Sequence, residues 1–158
     1  MIMERAKHIA RHEELLARAS GDEAAILEAE LADLRSFHPT VRCLGFFETA
    51  KPAQSEMGRV LLGDHPHESA RYIAWHLELE HAPRKRPLEI TIEWKMILED
   101  GTLFTEQVLR TILLPEWSES LHIASWGWEK AGQWKKGKHK AVLALWGEPL
   151  TEGSFSIV

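Results

Sequence analysis

The chain is short of cysteine and tyrosine, with one of each in 158 residues. A single thiol, Cys43, excludes an internal disulfide. It lies in the apolar run Val41 to Phe47, where a buried thiol serves as a small hydrophobe. Nowhere do about 18 apolar residues follow one another, the length a membrane crossing needs. Near the N-terminus, Glu4, Arg5, Arg11 and Glu13 interrupt any apolar core of the kind a secretion signal carries. A cytoplasmic protein is expected.

Catalytic signatures are missing as well. There is no nucleophile elbow, no phosphate-cradling loop ahead of Lys-Ser/Thr, no dinucleotide fingerprint and no zinc-protease helix. The paired carboxylates Glu78/Glu80 and Glu89/Glu93 fall on the polar phase of alternating strands, which marks them as solvated. No cofactor is expected and no enzymatic role. Acidic residues outnumber basic ones by 24 to 19, a formal charge of -5, which disfavours a nucleic-acid backbone as partner.

The most ordered stretch is Leu88 to Leu98, in which every even position is apolar and nearly every odd one polar. Only a strand with one buried face has that period. Glu99-Asp100-Gly101-Thr102 supplies an Asp-Gly turn, and Leu103 to Leu114 returns as a second strand, so the two predict a hairpin. Arg71 to Glu80 alternates too, with Ile73, Trp75, Leu77 and Leu79 on one face.

Residues 3–36 are rich in Ala, Glu, Leu and Arg and free of proline, which predicts two helices broken at Gly21, with Ser20 or Asp22 as N-cap. Leu27, Leu31 and Leu34 line one face of the second helix, and Ile2, Ala6, Ile9, Leu16 and Ala19 make a thinner stripe on the first. These stripes either pack on the rest of the chain as a helical hairpin or seek another chain as a short coiled coil. Pro39 ends the second helix. Residues 1–38 and 39–158 are thus the two expected units.

Thr49 to Ser69 reads as a long irregular connection holding one short strand. Within it, Asp64-His65-Pro66-His67-Glu68 is a weak metal candidate through His65 and His67, with His76 or His81 as a distant third ligand; the spacing matches no zinc pattern, and a polar surface loop is the simpler reading. Arg84-Lys85-Arg86 between prolines forms a small basic tip, expected to be solvated. Seven tryptophans are present. Trp75 and Trp94 share the apolar faces of their strands and belong to the core. Trp117, Trp126, Trp128, Trp134 and Trp146 crowd the C-terminal third, where they either pack a corner or form an exposed aromatic patch.

Seven strands, at 41–48, 71–80, 88–98, 102–114, 120–126, 138–146 and 151–158, with hairpin turns and no helix among them, are the inventory of an immunoglobulin-like antiparallel β-sandwich. The last turn is expected at Gly147-Glu148-Pro149. Gly132-x-Trp134-x-x-Gly137, then an alternating strand, a glycine-bearing turn and Phe155-Ser156-Ile157, resembles the final hairpin of immunoglobulin-like accessory domains of bacterial multidomain proteins, over roughly residues 120–158. Such domains often carry Tyr where His139 stands. The resemblance implies a non-catalytic module that contacts other proteins and no catalytic residue. The expected function is protein binding or assembly, with another protein or a second copy of the chain, through the helical hairpin, an exposed sheet edge or the tryptophan-rich corner. Carbohydrate or small-ligand binding through exposed tryptophans is the alternative.

Overall fold

The computed structural model describes residues 4–52 and 61–158. Two helices, α1 (Arg5–Leu16) and α2 (Gly21–Ser36), precede eight strands: β1 (Thr40–Thr49), β2 (Asp64–His65), β3 (Tyr72–Glu80), β4 (Leu88–Leu98), β5 (Leu103–Leu113), β6 (Glu119–Gly127), β7 (Gly137–Leu145) and β8 (Glu148–Ile157). They form a three-stranded sheet in the order β1-β3-β6 and a five-stranded sheet in the order β2-β8-β7-β4-β5. All pairings are antiparallel except β2 with β8. The first, second and fifth long strands thus make one sheet and the other four make the facing one, the Greek-key division of an immunoglobulin-like sandwich. The seven long strands are those expected; the eighth is the two-residue β2. Its long connection, and Ile2 of the first apolar stripe, fall partly outside the described residues.

β4 is central to the larger sheet because both its edges are paired and one face is wholly apolar. Leu88, Ile90, Ile92, Trp94 and Met96 are buried while the intervening residues are not. At the hairpin tip Gly101 takes a φ of 89°, and the Asp100 carboxylate accepts the Thr102 backbone N–H at 2.9 Å. Those hydrogen bonds hold the Asp100 carboxyl below its usual value. Between the sheets, Trp75 and Trp94 meet edge to face at 6.0 Å, and Phe46 meets Phe155 at 4.8 Å.

The β7–β8 turn lies one residue earlier than expected. Trp146 and Gly147 are its two central residues, with φ of 48° and 80°, the double positive φ of a tight hairpin turn. Pro149 lies within β8 beside a register shift, where a missing N–H breaks no regular ladder. A tryptophan at positive φ is strained, and what holds it is burial: its ring packs on Phe37 at 5.9 Å and under the Arg5 guanidinium at 4.9 Å.

Arg5 is the clamp between helices and sandwich. It is buried, donates from Nη1 to the carbonyls of Leu34 and Phe37 at 2.7 Å each, and pairs with Glu148. Two carbonyls at the C-terminal end of α2 are thereby satisfied. The basic tip docks there as well: Arg84 pairs with Asp33 and lies 4.8 Å over the Phe37 ring, so that residue is a structural contact and not a solvated charge. Leu34 and Phe37 join the cluster that fills the sandwich. Among the described residues no helix is long and apolar enough to cross a membrane.

Candidate partner-binding edge

β5 ends the five-stranded sheet, with β4 on one side and no strand on the other among the described residues. Exposed strand edges are normally shortened, bulged or charged. β2, at the opposite end of the sheet, has two residues, and β1 is bulged between Val41 and Cys43. β5 has eleven residues, no proline and no glycine, and its one bulge, at Phe104, falls near its start, leaving Thr105 to Leu113 in regular register with β4. Its outer face carries Val108 at 40% and Ile112 at 53% exposure, flanked by Leu103 and Leu114. Trp117 follows in the turn to β6 at 38%. Among the described residues, five of the ten large exposed hydrophobics thus fall between residues 103 and 117, whereas β1 and β6, the edges of the smaller sheet, contribute none of them.

The C-terminal end of β5 opens into a cleft of about 440 Å³ between the helical hairpin and the sheet, where Ile112 faces Glu89 and Thr91 from β4 and His8, His12 and Glu30 from the helices. His12 is engaged there, with Nε2 3.0 Å from Glu30 and Nδ1 2.9 Å from the His8 carbonyl. Burial, helped by the neighbouring His12, lowers the His8 pKa. The cleft therefore has an apolar wall and an acidic rim.

The remaining predicted residues lie elsewhere. Leu31 and Leu34 are buried and Leu27 half-buried, so the second helix spends its stripe inside the protein. Trp134 and Trp146 are core residues, Trp126 and Trp128 half-buried, and only Trp117 among the seven is exposed. Trp134 donates to the Arg71 carbonyl at 2.8 Å and packs with Phe104, Trp128, His139 and Phe155. His139 stacks on Phe155 at 5.2 Å, and burial lowers its pKa.

His65 is fully buried, its Nδ1 3.0 Å from Glu48 and its Nε2 3.0 Å from the Leu62 carbonyl. Both ring nitrogens are thus engaged by protein oxygens, one from a carboxylate and one from a backbone carbonyl. A different polar chain was not evident from sequence: the Ser120 hydroxyl lies 2.8 Å from His122 Nε2 and 3.1 Å from His81 Nε2. Burial lowers the pKa of His81 and takes that of His122 to about 4. Among the described residues a single cluster of three potential metal ligands is present, Cys43, His76 and Glu78 on the outer face of the smaller sheet.

Strand order and the free, apolar edge define an immunoglobulin-like sandwich carrying a helical hairpin. No protein-family model and no curated protein sequence matches the chain. Among solved structures it is similar to the alkylpurine DNA glycosylase AlkC of Pseudomonas fluorescens bound to DNA containing an abasic site analog, at 14% identity and a TM-score of 0.49, over 85% of this chain and 33% of that one. The chain thus spans about a third of that enzyme's length. It is also similar to an immunoglobulin-like protein of Pseudomonas aeruginosa (13% identity, TM-score 0.46, 77% of this chain and 98% of that one) and to a putative β-galactosidase of Bacteroides fragilis (14%, 0.39, 70% and 15%).

Proposed function

We propose that the chain is a non-catalytic, cytoplasmic protein-binding module, akin to the accessory domains of bacterial multidomain proteins, that takes an extended segment of another protein along the free edge of β5. The observation that carries this reading is the run of exposed aliphatic side chains on the longest unprotected edge. In strand addition the backbone of the incoming segment supplies hydrogen bonds and its alternate side chains supply specificity. Val108 and Ile112, four residues apart and so on one face, would meet those alternate side chains, with Glu106 before them and Arg110 between them setting direction by charge.

Each half-exposed aliphatic residue covered in this way contributes roughly 1 kcal/mol, and pairing of the backbone adds to it. Trp117, in the turn that follows the strand, offers an exposed aromatic ring as an anchor. Carbohydrate binding draws on that one exposed ring and lacks a second face to stack on.

The test compares the full chain with its Val108→Lys/Ile112→Glu variant as baits in extract of the native cell. A partner retained by the former and lost by the latter, with binding weakened more than about tenfold for roughly 2 kcal/mol of lost burial, supports the reading. Equal retention by both overturns it.

A further inference from the structure

Cys43, His76 and Glu78 come together by three devices of the smaller sheet. β3 places His76 and Glu78 two residues apart and so on one face. Glu78 is the cross-strand partner of Cys43, and His76 that of Gly45. The register shift makes Arg42 an extra residue on β1, with Val41 and Leu44 both packed against the core; the bulge turns the Cys43 side chain outward, a re-aiming that bulges perform next to functional groups. At the position opposite His76, Gly45 carries no side chain, and Leu61 fills that space so closely that a Cβ on Gly45 would lie 2.5 Å from its Cδ1.

The Sγ, a ring nitrogen and a carboxylate oxygen all lie within 4.8 Å of one another, and His76 Nε2 is already 3.2 Å from Glu78. Four-coordinate zinc, with bonds of about 2.0–2.3 Å, needs its ligands about 3.5 Å apart. Closing that gap takes rotamer adjustments of about 1 Å on a half-exposed face. Phe47, Ala74 and Ile123, with Leu121 beside them, form a small buried apolar cluster on the smaller sheet, apart from the main core. It makes an apolar flank of the sort that limits solvent access and lowers the dielectric around a metal site.

We infer that Cys43, His76 and Glu78 form a zinc-binding site with three protein ligands and a fourth position open to water. One thiolate, one imidazole and one carboxylate form a donor set of mixed softness that suits Zn²⁺ better than the oxygen-seeking Mg²⁺ or Ca²⁺. Binding releases the Cys43 thiol proton, and His76 coordinates through Nε2 with its remaining proton on Nδ1. Three protein ligands plus water is the arrangement of an exchangeable site and not of a closed structural one.

Cys43 is the sole cysteine, so its chemistry reports the site without a variant. The full, reduced chain is titrated with Zn²⁺ while alkylation of Cys43 is timed, and with Co²⁺ while the thiolate-to-cobalt charge-transfer band is recorded. One equivalent of metal should slow alkylation more than about tenfold and produce the band; His76→Gln should weaken both by about 100-fold, the scale on which metal sites respond to lost support. His12→Gln, which alters a different histidine–carboxylate contact, that with Glu30, should change neither. Unprotected alkylation at saturating Zn²⁺, binding without the charge-transfer band, or loss in His12→Gln but not His76→Gln would overturn the inference.

Discussion

His122 shows at the scale of one residue how burial becomes a pH dependence. The folded protein resists protonating it down to pH about 4, whereas an unfolded chain takes up that proton near 6.5. The unfolded state therefore gains its proton first, and stability is full above pH about 6.5 and lost as pH falls toward 4, by up to about 3 kcal/mol. His8, His81 and His139 are lowered as well and act in the same direction. Denaturant midpoints measured across this range should fall with acidity in the parent chain and fall less in His122→Gln. An identical acid limb in both would contradict the assignment. Among the described residues Ser120 is the one side chain hydrogen-bonded to His122, which makes the glutamine variant a mild one.

At the scale of elements, the helical hairpin is held by Arg5, Phe37 and Trp146 together with the buried Leu31 and Leu34 of α2. Arg5 satisfies two carbonyls of α2 and reaches Glu148 across the β7–β8 turn. Arg5→Met keeps most of the apolar stem over Trp146 but removes those bonds, so unfolding should become easier by about 2–3 kcal/mol. Chemical denaturation gives the number, and a change within 0.5 kcal/mol would mean that the clamp is idle. On β5 the expectation is reversed. Val108→Lys/Ile112→Glu alters only an exposed face, and its stability should stay within about 0.5 kcal/mol of the parent while partner binding is lost.

What was legible in the sequence also divides by element. β4 is legible because one of its faces repeats with period two, and β5 because an Asp-Gly pair turns the chain back into an apolar-rich run. The β7–β8 turn was placed one residue late, because tryptophan is not a turn residue unless a buried ring is held from outside the hairpin. β2 was illegible as a strand: its pairing partner is at the far end of the chain, and two residues have no period. Arg84 reads as part of a solvated basic tip since nothing local shows which acid it meets, and nothing around Arg5 in the sequence shows which carbonyls it satisfies. The Cys43, His76 and Glu78 cluster has no spacing to detect, being made by strand pairing and a bulge. The free edge was anticipated only as a generic possibility; its location on β5 needed the strand order.

Over the whole molecule, helices and sheets share one core, and the surface divides into a protected and an unprotected side. β2 and the bulged β1 close one side, where β1 lies against β8. The other side ends in the bare length of β5 and the cleft beneath the helices. A module of this design recognises a partner through backbone pairing, and backbone pairing leaves a direct signature in amide exchange. The most direct measurement is hydrogen–deuterium exchange of the full chain with and without the partner retained by the wild-type bait. Binding through the edge predicts slowed exchange concentrated in residues 103–114, with the β1 and β6 edges unchanged. Protection at those edges or on the helices, with β5 exchanging as freely as before, would contradict it.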